Sequence, residues 1–231
     1  MSNWRGLAEA ATAYPTGQST VSRLALTADR IGFDGIVIRN APSTEATAAV
    51  AHRATADEIE LVYGQELSTG TIETISGRLP QLRKETTVLM VAGGTEQMNR
   101  FVARQSHVDV LTRPIDHSGP DLDQGVAKAA IEHEVAVEID LSPLRSPGGI
   151  RVRYLDRLRR LWRIVEYYEV PYVLTVRPAS HLELVAPREV VALAEIVGLD
   201  AVAARRGLAT WMSIAERNRE HAGEGFIEPG D

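Results

Sequence analysis

The chain has 231 residues, no cysteine and a formal net charge of −6. Composition therefore excludes disulfides, thiolate metal sites and cysteine nucleophiles, and the charge excludes binding of polyanions by the whole surface. No apolar run approaches the roughly 18 residues of a membrane span, and Met1-Ser2-Asn3-Trp4-Arg5 lacks a signal-peptide core, so a cytoplasmic protein is expected.

A strand–helix alternation runs through the sequence about eight times. Ala10 to Tyr14 reads as a first strand and Ser19 to Ile31 as a helix closed by Gly32. Gly35-Ile36-Val37-Ile38 is an apolar strand, followed by a helix from about Ser43 to Ala54. Ile59 to Gln65 is a third strand, which Thr71 to Thr74 extends as a hairpin, and Ser76 to Lys84 is helical. Thr87 to Val91 is a strand ended by Gly93-Gly94, with Thr95 placed to cap a helix to Ala103. Val108 to Leu111 is a strand and Leu122 to His133 its helix. Val135 to Asp140, Arg151 to Tyr168, Pro171 to Val176 and Pro187 to Val197 give strand, helix, strand, helix. Pro187 suits a first helical position and Gly198 a left-handed cap. A short strand near Ala201 and a helix from Arg205 to Arg219 complete the set. The alternation predicts an α/β, TIM-barrel-like (β/α)₈ barrel, as one domain over residues 1–221, with a glycine-rich, acidic, disordered tail over 222–231.

Functional side chains of such a barrel sit at the C-terminal ends of its strands. Those positions hold Asn40, Glu66, Arg113, Asp116, His117, Glu138, Asp140, Thr175 and Arg177. They are read in two ways, as helix caps and mutual ion pairs or as a metal-dependent phosphoesterase centre using Glu66, Asp109, Glu138 and the rim histidines. The six histidines argue against the second, since no two lie within five residues and His133-Glu134 meets Val137 where a zinc motif needs its second histidine. Neither a dinucleotide fingerprint nor a phosphate-loop motif is present.

Only Lys84 and Lys128 are lysines, so 23 of the 25 basic residues are arginine. A GC-rich genome or a high-salt cytoplasm would each produce that bias. Seven arginines, Arg145, Arg151, Arg153, Arg157, Arg159, Arg160 and Arg163, fall within 19 residues, with Asp156 as the one acid among them. On a wheel of about 100° per residue, Arg153, Arg157, Arg160, Arg163 and Arg159 occupy one side and Leu155, Leu158, Leu161, Trp162 and Val165 the other. A solvated face would carry mixed signs. This stripe points to contact with RNA or with an acidic protein. Aromatics make up 5% of the chain, so base stacking is not expected and phosphate or RNA shape is the predicted target.

The ordered motifs resemble a known family. Gly32-Phe33-Asp34-Gly35-Ile36-Val37 matches its early helix-to-strand turn. Val108 to Pro114, Val135 to Ser142, the arginine helix, Pro171 to Thr175 and Pro187 to Gly198 follow in order. Together these are similar to the archaeal ribonuclease P component 3 family, homologous to the eukaryotic thirty-kilodalton subunit, over roughly residues 8 to 219. The resemblance implies a barrel related to the polymerase-and-histidinol-phosphatase (PHP) hydrolases. It implies a non-catalytic subunit of the ribonucleoprotein that removes 5′ leaders from precursor tRNA. It implies Mg²⁺ chemistry carried by the RNA, no cofactor bound by this chain, and assembly with ribonuclease P RNA and another small protein subunit, in a heterotetramer. Arg145, Arg151, Arg153, Arg157, Arg159, Arg160, Arg163 and Arg177 are the expected RNA- or partner-binding residues.

Overall fold

The computed structural model describes residues 6–41, 59–115, 122–145 and 150–224. The expected helix at Ser43–Ala54, the rim residues Asp116 and His117, and the tail beyond Glu224 lie outside these residues.

Seven strands form one sheet in sequence order. They are β1 (Ala8–Ala11), β2 (Gly35–Ile38), β3 (Glu60–Leu67), β4 (Val88–Ala92), β5 (Val110–Thr112), β6 (Ala136–Asp140) and β7 (Tyr172–Thr175). Every neighbouring pair is parallel, from Ala8 opposite Gly35 in the first to Asp140 opposite Thr175 in the last. The described helices are α1 (Val21–Arg30), α2 (Ile72–Glu85), α3 (Glu96–Val102), α4 (Gln124–Glu132), α5 (Ile150–Tyr168), α6 (Pro187–Val197) and α7 (Ala201–Glu224), with a 3₁₀ turn at Ser142–Arg145.

Local chemistry sets the helix starts. Thr20, Thr71, Thr95 and Asp123 each accept a hydrogen bond from the backbone N–H three residues on, which satisfies one of the otherwise unpaired first-turn donors. Pro187 opens α6 and Gly198, at φ +117°, closes it. The Thr71 cap corrects the expected hairpin: Thr71 to Thr74 begins α2 and does not extend β3.

There is no eighth strand among the described residues. The Ala201–Ala204 run, read as a strand, is the first turn of α7. Asp200 explains this, because its side chain accepts from Ala203 N at 2.7 Å and its carbonyl from Ala204 N at 2.9 Å. In place of that strand, α7 packs against β7 and β1. Its Trp211, Met212, Ile214 and Ala215 join an inner apolar cluster with Ala8, Ala10, Val37, Val62, Val88, Met90, Val110, Ala136 and Val173. Trp211 Nε1 donates to Leu174 O at 3.0 Å. The approach requires glycine at 207, where a Cβ would stand 2.9 Å from Leu174 Cβ. At the open end the seam is tied by Thr12 N to Pro178 O at 2.9 Å and Gln18 N to Ala179 O at 2.7 Å. The result is a nearly closed barrel, with a second, larger apolar layer between the strands and the outer helices.

Candidate functional site: a charged barrel mouth and an outer arginine face

The mouth of the barrel is filled by its own ions. Arg39, directly after β2, is 1% exposed. Its Nε donates to Ala10 O at 2.9 Å, one terminal nitrogen reaches Glu66 Oε2 at 3.3 Å, and the other reaches Glu138 Oε1 at 2.5 Å. Arg177, just past β7, grips the same two carboxylates as a fork, at 2.8 and 3.1 Å from the oxygens of Glu138 and at 2.9 and 3.1 Å from those of Glu66. Thr112 donates to Glu66 at 2.7 Å, and Arg113 N donates to Glu138 at 3.1 Å. Arg113 and Arg177 both have φ +46°, in the left-handed region. The chain bends there at some cost, turning the Arg113 N–H and the Arg177 side chain toward the two glutamates.

Two further carboxylates are poised differently. Glu9 of β1 is fully buried and spans the β1–β7 seam, accepting from Thr175 Oγ1, from Val176 N at 3.1 Å and from Ala10 N at 2.8 Å. Burial pushes its pKa up to about 7, against the lowering effect of those hydrogen bonds and of Arg39. Asp140 is raised to about 6, by burial first and by neighbouring Glu138 second. Burial would raise Glu66 too, but Arg39 and Arg177 together overcome it and hold it down at about 2. Near neutrality Glu66 is therefore ionised between the two arginines, whereas Glu9 is poised to gain or lose its proton and Asp140 does so on mild acidification.

Among the described residues this arrangement weighs against the metal-centre reading. Glu66 already pairs with three guanidiniums, of Arg39, Arg113 and Arg177, and Glu138 with two, of Arg39 and Arg177. Asp109 is not at the mouth. It precedes β5 at the opposite end, where Arg83 at 2.5 Å, Arg217 at 3.3 Å and Asn218 at 2.7 Å consume it, and where His133 and His221 line a cavity of about 630 Å³. His181 bonds Ser19 at 2.8 Å. No group of three or more potential metal ligands occurs among the described residues.

The expected arginines divide into two sets. Arg151, Arg153, Arg159, Arg160 and Arg163 are exposed on α5, and Arg145 is exposed while donating to Glu183 O at 2.7 Å. Arg177 belongs to the mouth, with 17% of its side chain exposed. Arg157 is 9% exposed, and its charge is felt by the buried phenol of Tyr154. The wheel put Arg157 about 40° from Arg153, which is the edge of the buried sector formed by Tyr154, Leu158, Leu161 and Val165. It therefore turns inward. Beside Glu9 and Thr112, Arg39 is the charged centre of the mouth that the rim list missed. The period of two places it on the same strand face as Val37, which lies in the inner cluster.

The fold and these sites define a TIM-barrel-like α/β protein whose mouth is occupied by its own arginines and which carries an arginine-rich face on an outer helix. Sequence and structure comparisons agree. A family model described as RNase P subunit p30 matches residues 7–222. The chain is 46% identical to ribonuclease P protein component 3 of Halorubrum lacusprofundi, covering 96% of this chain and 95% of that one. It is 40% identical to the protein of the same name from Haloarcula marismortui, over 96% and 94%. In structure it is similar to a chain of archaeal ribonuclease P with mature tRNA, with TM-score 0.76 at 17% identity and coverage of 97% and 96%. A putative histidinol phosphatase of Listeria monocytogenes shares the fold more distantly, with TM-score 0.50 at 11% identity and coverage of 77% and 97%. The chain belongs to the RNase P subunit p30 family. No described helix is long and apolar enough to cross a membrane.

Proposed function

We propose that this chain is the non-catalytic barrel subunit of ribonuclease P, the cytoplasmic ribonucleoprotein that removes 5′ leaders from precursor tRNA, and that α5 is its RNA-facing surface. One observation carries the assignment of the surface: five exposed arginines project from a single helix of an otherwise acidic chain. Guanidinium suits this task. Its planar fork meets two phosphate oxygens at once, and it is weakly hydrated, so contacts persist at ionic strengths that screen isolated point charges. Phosphate neutralised by these groups would order the catalytic RNA without reading its sequence.

Family membership and the paired mouth support the non-catalytic reading. With Glu66 and Glu138 neutralised by Arg39 and Arg177, the chemistry is left to Mg²⁺ held by the RNA, and this chain needs no cofactor of its own. A second small protein subunit, joined with this one in a heterotetramer, completes the expected assembly around the RNA and precursor tRNA.

The test is a salt titration of binding between the purified chain and ribonuclease P RNA. Each neutralised phosphate contributes roughly 0.7–0.9 to the slope of log affinity against log salt. Replacing Arg153, Arg160 and Arg163 by glutamine should reduce the slope by about 2 to 3 and weaken binding. An unchanged slope would remove α5 from the RNA interface.

A further inference from the structure

The opposite end of α5 carries a surface of different character. A groove of about 510 Å³ lies between the C-terminal half of α5, the segment entering β7 and the first turns of α7. Its floor is apolar, with Trp162 and Tyr172 packed edge to face at 5.2 Å. Val202 stands at one wall, 47% exposed. The border is acidic: Glu166, Glu169 and Asp200 line it against a single cation, Arg206.

Two features make this border costly for the isolated chain. Glu166 lies in the last turn of α5 and Glu169 just beyond it, where the helix dipole disfavours negative charge, and no basic residue occupies that turn. Glu169 also has φ +55°, a backbone region that favours glycine. Glu134 shares that conformation at the end of α4, but there Arg217 compensates at 3.0 Å. Neither Glu166 nor Glu169 has an ion pair among the described residues. The helix is thus polarised along its length, arginine-rich over most of it and acidic at its end.

We propose that this groove docks a protein segment presenting apolar side chains together with lysine or arginine, the face of a basic amphipathic helix or strand. The chemistry selects the occupant. Aromatic floor and exposed Val202 call for apolar side chains, and the unpaired glutamates call for cations at the edge. An RNA phosphate would be repelled by the border. A second copy of this chain would bring a net charge of −6 to an acidic surface. The inference deepens the proposed function, on which it rests for the source of the partner: another protein subunit of the same ribonucleoprotein.

The experiment titrates the full-length chain by calorimetry with each other recombinant protein subunit of that ribonucleoprotein, and separately with its RNA. In Glu166→Lys/Glu169→Lys, affinity for the cognate subunit should fall by about tenfold or more, as charge reversal at an interface does. The melting temperature should hold or rise, because lysine suits the end of a helix. Val202→Lys should weaken the same complex. RNA affinity should stay unchanged in both variants, whereas the arginine-face variant should lose RNA affinity and keep the subunit. Unchanged subunit affinity in both groove variants would overturn the proposal. So would loss of RNA binding in its place, loss of self-association in sedimentation, or the absence of any subunit that binds the unaltered chain. That last result, with RNA binding intact, would leave the role of α5 standing.

Discussion

Replacing Arg39 by methionine keeps the length and apolar contacts of the side chain and deletes its charge. Glu138, 0% exposed, would then face Arg177 alone, and Glu66, 9% exposed, would keep Arg177 and the more distant Arg113 at 3.4 Å. Deleting one partner of a buried ionic group typically costs about 3–5 kcal/mol, because a charge is left uncompensated in a medium that cannot solvate it. For a chain of this size each kcal/mol corresponds to roughly 2–4 °C in melting temperature, so a fall of about 6–20 °C is expected in thermal unfolding followed by circular dichroism. Lost contact with Trp211, whose ring lies 5.3 Å from the guanidinium carbon, adds to this. The double variant Arg39→Met/Glu138→Gln removes one cation and one anion together. It should recover at least about 1 kcal/mol relative to additivity, as coupled neighbours do. A loss below about 1 kcal/mol for Arg39→Met, or strictly additive behaviour in the cycle, would refute the view that the mouth is a charge-balanced structural core.

Three further outcomes follow from the same geometry. Glu9 has a folded pKa of about 7 against an ordinary value of 4.5, so its contribution to stability is fully present below about pH 4.5 and is lost as pH rises through about 7, by about 3 kcal/mol in all. Glu9→Gln should flatten that fall in urea-unfolding free energy between pH 5 and 8. The slope is the quantity to read, since one amide hydrogen will oppose a backbone N–H and lower stability at every pH. Trp211→Ala should cost about 3–5 kcal/mol in the same assay, because the indole is fully buried where α7 closes the barrel. The glutamine variant at Arg153, Arg160 and Arg163 should shift melting temperature little while reducing the salt slope of RNA binding, since exposed charges contribute little to folding.

Most strands and helices were legible because their signals are local. Gly35–Ile38, the Thr95 cap and the Pro187–Gly198 helix are each set by residues within a turn of the element they define. Closure of the barrel was not legible in this way. Ala201-Val202-Ala203-Ala204 has no periodicity that separates strand from helix, and the element is decided by Asp200 capping it and by packing of Trp211 and Met212 some ten residues later. The rim list found Glu66, Glu138, Asp140, Thr175 and Arg177 because they end strands, but it could not show which of them meet. Arg39 was missed although the alternation through Val37 marks its strand face. Asp109 was misplaced because it lies at the N-terminal end of β5, within an apolar run whose beginning and end look alike. The wheel placed the exposed arginines of α5 correctly except at Arg157, because helical angle alone does not say where the buried sector stops.

The most direct measurement is pre-tRNA cleavage by the reconstituted ribonucleoprotein, assembled from its RNA, its other protein subunits and this chain, with this chain either unaltered or carrying Arg153→Glu, Arg160→Glu and Arg163→Glu. The account predicts that the unaltered chain alone, with Mg²⁺, releases no leader. It predicts that the assembly containing the variant cleaves far more slowly at limiting protein, and that the deficit shrinks as protein concentration is raised. Leader release by the chain without RNA, or full activity of the triple-glutamate assembly at every concentration, would contradict it.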